Sequence, residues 1–385
     1  MKRIFSSALL RCAVFGLLAS IAIGGPAARA EEVLIGAQLP LSGPLAAFAG
    51  PRLRAGVEVA VEEINPTQML GPGRTVKVSI EDDAGDKTQT LALINKRATV
   101  DRVTAILGPT NSALALPAAP LANELKVPML AIAASAAVVE SGPWSFMTLV
   151  PAAKNVAASV KLATTKLNIK SVAVIFDRTN SSSVLIKNAF EEGVKARGVN
   201  IVASEGISPQ DSNFGPLATK LASMKFDVLY IESIPTVQAN FLIQAKQAGL
   251  DPNTKIIASP NAATTVFIEI GGKAVEGTYY EANYVTASET PQNKKFVAAY
   301  KTHTGNEPDS QAANGYVAMM VLAQAFKIAG PNADRDRVRQ ALGQVHDIPS
   351  VYGTGTYSID KDRLPDFQNI MVQIVDGKPK VVPMD

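Results

Sequence analysis

The chain has 385 residues, too many for one compact core and suited to two α/β domains of ~100–200 residues each. A composition of 47% hydrophobic, 18% charged and 6% aromatic residues excludes the disordered, collagen-like and disulfide-dense classes. The formal charge of +3 comes from residues 1–30, which hold Lys2, Arg3, Arg11 and Arg29 and no acid; the rest has 33 basic against 34 acidic residues, so no nucleic-acid partner is expected.

That first segment starts basic, continues apolar from Val14 to Ile23, and ends in Ala28-Arg29-Ala30, the small residues that a signal peptidase needs. It reads as a secretory signal cleaved after Ala30, with Glu31 as the mature start in a periplasm-like space. Arg11 and Gly24-Gly25-Pro26 keep its apolar run short of the ~20 residues that cross a bilayer. Cys12, the one cysteine, falls inside it, so disulfides, a thiolate nucleophile and cysteine-bound zinc are excluded from the mature chain.

From Val33 onward, short β-branched runs alternate with longer amphipathic stretches, the pattern of parallel βαβ units. Strands are predicted at Val33–Leu39, Thr75–Glu81, Thr104–Leu107 and Pro128–Ile132, with helices at Leu53–Ile64, Thr88–Thr99 and Leu114–Leu125. A second series follows Pro151: helix Val156–Leu167, strand Val172–Phe176, helix Val184–Arg197, strand Val199–Ala203, helix Phe214–Met224, strand Val228–Ile231, helix Val237–Ala248 and strand Lys255–Ala258. The tail breaks this rhythm with helices at Asn293–Thr302, Ala312–Ala329 and Arg335–Leu342, then strands at Gly355–Ser358 and Asn369–Val375.

Two Rossmann-like doubly wound α/β lobes account for this order, joined by three crossovers near 151–153, 282–286 and 344–350. The first lobe then takes residues 31–151 and 285–345, and the second takes 152–284 and 346–385.

Enzyme chemistry finds little support. There is no G-x-S-x-G elbow, S-x-x-K, H-E-x-x-H, Walker A loop or G-x-G-x-x-G opening a helix. His303 and His346 lack companions at ligand or triad spacing and read as surface or capping residues. Glu81-Asp82-Asp83 with Asp86 sits between a strand and a helix, where carboxylates cap amides. Gly353 and Gly355 precede a strand and read as turn glycines. No metal or other cofactor is expected.

In open parallel sheets, ligands collect beyond the carboxyl ends of strands, where helix N-termini offer unpaired amides. The loops there contain Leu41 and Ser42 with Phe48 close by, then Asn111-Ser112, then Ala133-Ala134-Ser135. Ser112 and Ser135 with these amides would form a neutral cradle for an anion, although both serines also suit helix N-caps.

The run Ile35 to Pro44 (IGAQLPLSGP), Ile106-Leu107-Gly108-Pro109, Pro128-Met129-Leu130 and the helix end Gln244-Ala245-x-x-Ala248-Gly249-Leu250 resemble the leucine/isoleucine/valine-binding family of ABC-transporter solute-binding proteins. The resemblance covers nearly all of the mature chain. It implies the periplasmic binding protein type I fold, hinge closure on a small solute, and presentation of the closed form to a membrane ABC permease by a monomer.

By the same resemblance, Ser112, Ala134 and Ser135 hold a solute carboxylate. The second lobe departs from the family. A Tyr-Gly pair is replaced by Asn180-Ser181-Ser182, a second tyrosine by Glu232-Ser233-Ile234, and the acid that pairs an ammonium by Ser259-Pro260-Asn261. Phe176, Ser181, Glu232, Ile234 and Asn261 are therefore the candidate contacts on that side.

Burying an unpaired ammonium costs several kcal/mol, so either Glu232 or Glu281 replaces the missing acid or the solute has no amine. The expected ligand is a small carboxylate-bearing solute, either a branched-chain or other amino acid or an amine-free aromatic or aliphatic acid. The alternatives are a secreted α/β hydrolase or transferase and a sensor ectodomain of the same fold.

Overall fold

The structure, a computed structural model, describes residues 31–384 except 48, 152 and 153. The signal segment therefore lies outside the described residues. The first sheet consists of β1 (Glu31–Leu39), β2 (Arg74–Asp82), β3 (Ala105–Thr110), β4 (Met129–Ile132) and β5 (Ser145–Met147), all parallel, in the order β2-β1-β3-β4-β5. Its crossover helices are α1 (Gly50–Ile64), α2 (Lys87–Thr99), α3 (Ser112–Glu124) and the short α4 (Ala137–Glu140).

The second sheet begins with β6 (Ser171–Asp177), β7 (Asn200–Ile207), β8 (Val228–Glu232), β9 (Lys255–Ala258) and β10 (Tyr279–Ala282). Its helices are α5 (Ala157–Lys161), α6 (Ser181–Lys195), α7 (Gly215–Ala222), α8 (Pro235–Gln247) and α9 (Thr265–Gly271). The chain then adds α10 (Pro291–Thr304), α11 (Ser310–Ala329) and α12 (Arg335–Leu342), and a small sheet of β11 (Ile348–Pro349), β12 (Thr356–Ile359) and β13 (Pro365–Asp366). Antiparallel β14 (Ile370–Val375) and β15 (Lys378–Val381) complete the second sheet in the order β15-β14-β10-β9-β8-β6-β7.

Each sheet is covered on both faces, as near-continuous Val, Ile, Leu and Ala strands require. In the first lobe α1, α10, α11 and α12 pack on one face, while α2 and α3 pack on the other. The second sheet is likewise sandwiched between two apolar clusters. This is the doubly wound two-lobe architecture that the alternating pattern predicts.

Helix α11 is the central strut of the first lobe, buried on nearly every side along its 20 residues. Its contact with α1 is backbone on backbone. A Cβ on Gly56 would lie 2.0 Å from the Ala312 carbonyl oxygen, and one on Gly315 would lie 2.1 Å from that of Leu53.

Two expectations change. The helix predicted at Val156–Leu167 divides into α5 and a π turn at Leu162–Lys166. There the Thr164 and Thr165 hydroxyls donate to the carbonyls of Val160 and Lys161 at 2.8 and 2.6 Å, a back-bonding that bends helices.

The third link also runs later than 344–350. Ile348, Val351, Tyr352, Tyr357 and Ile359 pack into the first-lobe core, and the Tyr357 hydroxyl donates to the Met147 carbonyl at 3.4 Å. Apolar side chains in this stretch bind it to the first lobe, so the chain crosses only between Ile359 and β14. Within this first-lobe stretch Gly353 turns the chain with φ +51°, and a Cβ on it would lie 1.9 Å from the Gln368 carbonyl oxygen.

Candidate functional site

A cavity of about 130 Å³ lies between the lobes, walled by residues at or just beyond the carboxyl ends of β3, β4, β6, β8 and β9. On the first-lobe side, Asn111 sits at φ +68° and ψ +162°, a conformation that side chains rarely adopt and that costs ~1–3 kcal/mol. Two bonds hold it there: its amide donates to the Ile132 carbonyl at 2.8 Å, and its side chain caps α3 by accepting from the Leu114 amide at 3.1 Å.

The next residue, Ser112, is thereby set against the end of β4, where its Oγ accepts from the Ala134 amide at 3.3 Å. The hydroxyl proton of Ser112 remains free to donate. Thr110 Oγ1, on the same wall, is buried without a hydrogen-bond partner. Among the described residues no cationic side chain lines the cavity, so this wall offers an anion neutral donors.

The second-lobe wall is built around Glu232, the last residue of β8 and fully buried. Its Oε1 accepts from Ser183 Oγ at 3.0 Å and from Asn261 Nδ2 at 3.3 Å, while Oε2 has no partner. Burial pushes the Glu232 carboxyl up to about 8; hydroxyls of Ser259 and Ser183 pull it down, and the charge of Asp177 raises it.

A third wall belongs to the links and to α11. Asn283 Nδ2 donates to Asn314 Oδ1 at 2.8 Å, and Ser310 Oγ donates to Asn283 Oδ1 at 2.8 Å. The Tyr352 hydroxyl donates to Asn314 Oδ1 at 2.6 Å. The ring of Phe367 closes this side, tilted against Tyr352 with centroids 4.8 Å apart and stacked on Tyr357 at 5.7 Å.

Of the predicted contacts, Asn111, Ser112, Ala133, Ala134, Glu232, Ile234 and Asn261 line the cavity together. Five others stand off it. The amides of Leu41 and Ser42 are held by Asp82 Oδ1 at 2.8 and 3.1 Å, so Leu41 packs on the first-lobe core and Ser42 faces solvent. Ser135 is buried behind the wall, where its carbonyl accepts from the Val138 amide. Phe176 lies beneath the ammonium of Lys187, 5.1 Å from its ring centroid.

Ser181 is exposed because the helical rotation that starts at Asn180 turns Ser183 inward instead. Phe48 lies outside the described residues. Glu281 is not on the wall either; it is buried in the second lobe, accepting from the Ser159 amide and from Asn369.

Sequence reasoning missed Asn180, Ser182 and Ser183 as lining residues, although the end-of-strand rule applied to β6 reaches them. It also missed Leu45, Thr110, Asn283, Ser310, Gln311, Asn314 and Phe367. The α11 residues follow Asp309, whose carboxylate caps the helix by accepting from the Gln311 and Ala312 amides, and that Asp was a readable signal. Phe367 gave none.

The acidic loop behaves as a capping loop. Asp86 caps α2 by accepting from the Gln89 amide, and Asp82 and Asp83 accept backbone amides. Among the described residues no cluster of His, Cys, Asp and Glu could hold a metal ion. His303 lies between Glu58 and Glu62 of α1, and His346 is exposed. No helix among the described residues is long and apolar enough to cross a membrane.

Comparison with known proteins agrees with this geometry. A leucine-binding protein LivK from Thermotoga maritima superposes with a TM-score of 0.82 at 28% identity, over 91% of this chain and 98% of that one. The Leu/Ile/Val-binding protein BraC3 of Rhizobium johnstonii is 30% identical over 344 residues, covering 89% of this chain and 91% of its own. A leucine-, isoleucine-, valine-, threonine- and alanine-binding protein of Pseudomonas aeruginosa is 27% identical over 359 residues, covering 92% of each chain.

None of these relatives supports the hydrolase or transferase alternative. The family model for periplasmic binding proteins matches residues 32–379, and the chain belongs to that family, the solute-binding proteins of ABC transporters, which are not enzymes.

Proposed function

We propose that this chain captures a small carboxylate-bearing solute between its lobes in the periplasm and delivers it, as a monomer, to an ABC permease for import. The observation that carries the reading is the first-lobe wall: Thr110 Oγ1 lacks a partner, the Ser112 proton is free, and the amides at the start of α3 and end of β4 lie beside them. Each hydrogen bond to a carboxylate contributes roughly 1.5–3 kcal/mol, so about four offset ordering costs and leave micromolar or tighter binding.

The cavity volume matches a solute of amino-acid size rather than a peptide or sugar chain, since a water fills ~30 Å³ of liquid. Because the walls come from both lobes, a solute held on one adds contacts when the other closes, which is the differential affinity that closure needs. The names of the relatives support a carboxylate-bearing ligand, and the basic, apolar first segment supports export with cleavage after Ala30.

The test is a thermal-shift and calorimetric panel of L-amino acids, their 2-hydroxy counterparts, benzoates and short aliphatic acids. At least one carboxylate should bind with micromolar or better affinity, and its amide derivative should not. Silence across the panel, or binding indifferent to amidation, overturns the reading.

A further inference from the structure

Among the described residues Glu232 is the only charged side chain on the cavity wall, and its second oxygen is buried with nothing to bond. A buried carboxylate left half-satisfied is costly unless a ligand supplies the missing donor or a proton neutralises it. The wall opposite carries the converse feature, an unpartnered hydroxyl at Thr110. Donors on one lobe and a free acceptor on the other suit a solute with a carboxylate at one end and a cationic donor at the other.

We propose that Glu232 selects solutes bearing an ammonium group and that capture exchanges the carboxyl proton of Glu232 for that ammonium, making solute binding proton-coupled. This rests on the reading of the cavity as the solute site.

The groups packed around the carboxyl favour the exchange. Ser183 of α6 and Asn261 beyond β9 donate neutral hydrogen bonds to its first oxygen, and Asp177 at the end of β6 adds negative charge. Lys187, the nearest lysine along α6, is engaged with Glu191 at 3.1 Å and with the Phe176 ring. With no cation to hold it ionised, the empty site stores a proton at neutral pH, consistent with the upward shift of Glu232 to about 8. When the ammonium enters, the carboxyl ionises, the proton leaves to solvent, and the new ion pair spans the cleft. The Glu232–ammonium pair is neutral, and the one negative charge that the closed site gains is that of the solute carboxylate, balanced by the proton released to solvent.

Calorimetry of the full-length mature protein in two buffers of different ionisation enthalpy tests this, using the L-amino acid from the panel that binds best and its 2-hydroxy counterpart. Below about pH 7, capture of the amino acid should release about one proton, and affinity should rise about tenfold per pH unit before levelling above the Glu232 value. The 2-hydroxy acid should release none. Glu232→Gln should abolish the release and weaken the amino acid on the order of 100-fold, while the 2-hydroxy acid is retained. Amino-acid binding without proton release overturns the inference, and this measurement on the unaltered chain does not depend on the variant folding. Binding of amine-free acids with rejection of every amino acid also overturns it, yet leaves the carboxylate site standing; failure of every carboxylate to bind removes both.

Discussion

The carboxylate of Glu281 accepts the backbone amide of Ser159 at 2.9 Å, joining the strand that leads into the second interlobe link to the helix that follows the first. Its other oxygen accepts from Asn369 Nδ2 at 3.1 Å, at the end of the third link. One buried side chain therefore ties together the second-lobe ends of all three links.

Burial raises the Glu281 carboxyl to about 7, with hydrogen bonds from Ser159 and Asn369 opposing the shift. A group whose value is higher in the folded state adds stability that is complete below its unfolded value, about 4.5, and is lost as pH rises through about 7. Denaturant unfolding should show this contribution falling by on the order of 3 kcal/mol between about pH 4.5 and 8. Glu281→Gln should flatten that slope relative to the parent; equal slopes in the two proteins would refute it.

Ser112→Ala should weaken solute binding by about 1–3 kcal/mol without unfolding the protein, because it deletes a donor on the cavity wall. Ser135→Ala, behind that wall, should change affinity much less. Calorimetry on the pair separates a direct contact from a general loosening of the loop, and wild-type affinity in Ser112→Ala would remove the hydroxyl from the site.

Gly315→Ala should destabilise the first lobe. The added methyl would meet the Leu53 carbonyl at 2.1 Å, so α1 and α11 must separate. Overpacking of this kind costs about 1–3 kcal/mol, read as a lower denaturant midpoint with the slope unchanged. A midpoint equal to that of the parent would mean the helices move apart at no cost.

Solution scattering should report a smaller radius of gyration when the binding solute is added to saturation, since closure brings α3 and α6 together across the cavity. Superimposable profiles with and without the solute would exclude closure.

The alternation of strands and helices was legible because parallel strands buried on both faces must be apolar runs, and Val33–Leu39 or Val228–Ile231 cannot read otherwise. The loop after β3 was legible for a similar reason: a ligand site beyond a parallel strand is a property of the architecture, so Asn111 and Ser112 could be located from order alone. What the sequence hid was rotation and tertiary reach. Ser181 and Ser183 are indistinguishable in composition, and only the start of α6 at Asn180 decides which turns inward. β10 hides behind its tyrosines and Glu281, whose polar groups interrupt an otherwise apolar run. Asn283, Asn314 and Phe367 come together only because the chain crosses between lobes, a relation no local pattern encodes.

Phe367 belongs to a connecting segment rather than to either sheet, yet it forms part of the cavity wall. Its replacement by a smaller residue would widen the cavity on that side. Because Phe367 also leans on Tyr352 and Tyr357 of the first-lobe core, the shape of this side of the cavity is coupled to the packing of the segment through which the chain passes to β14.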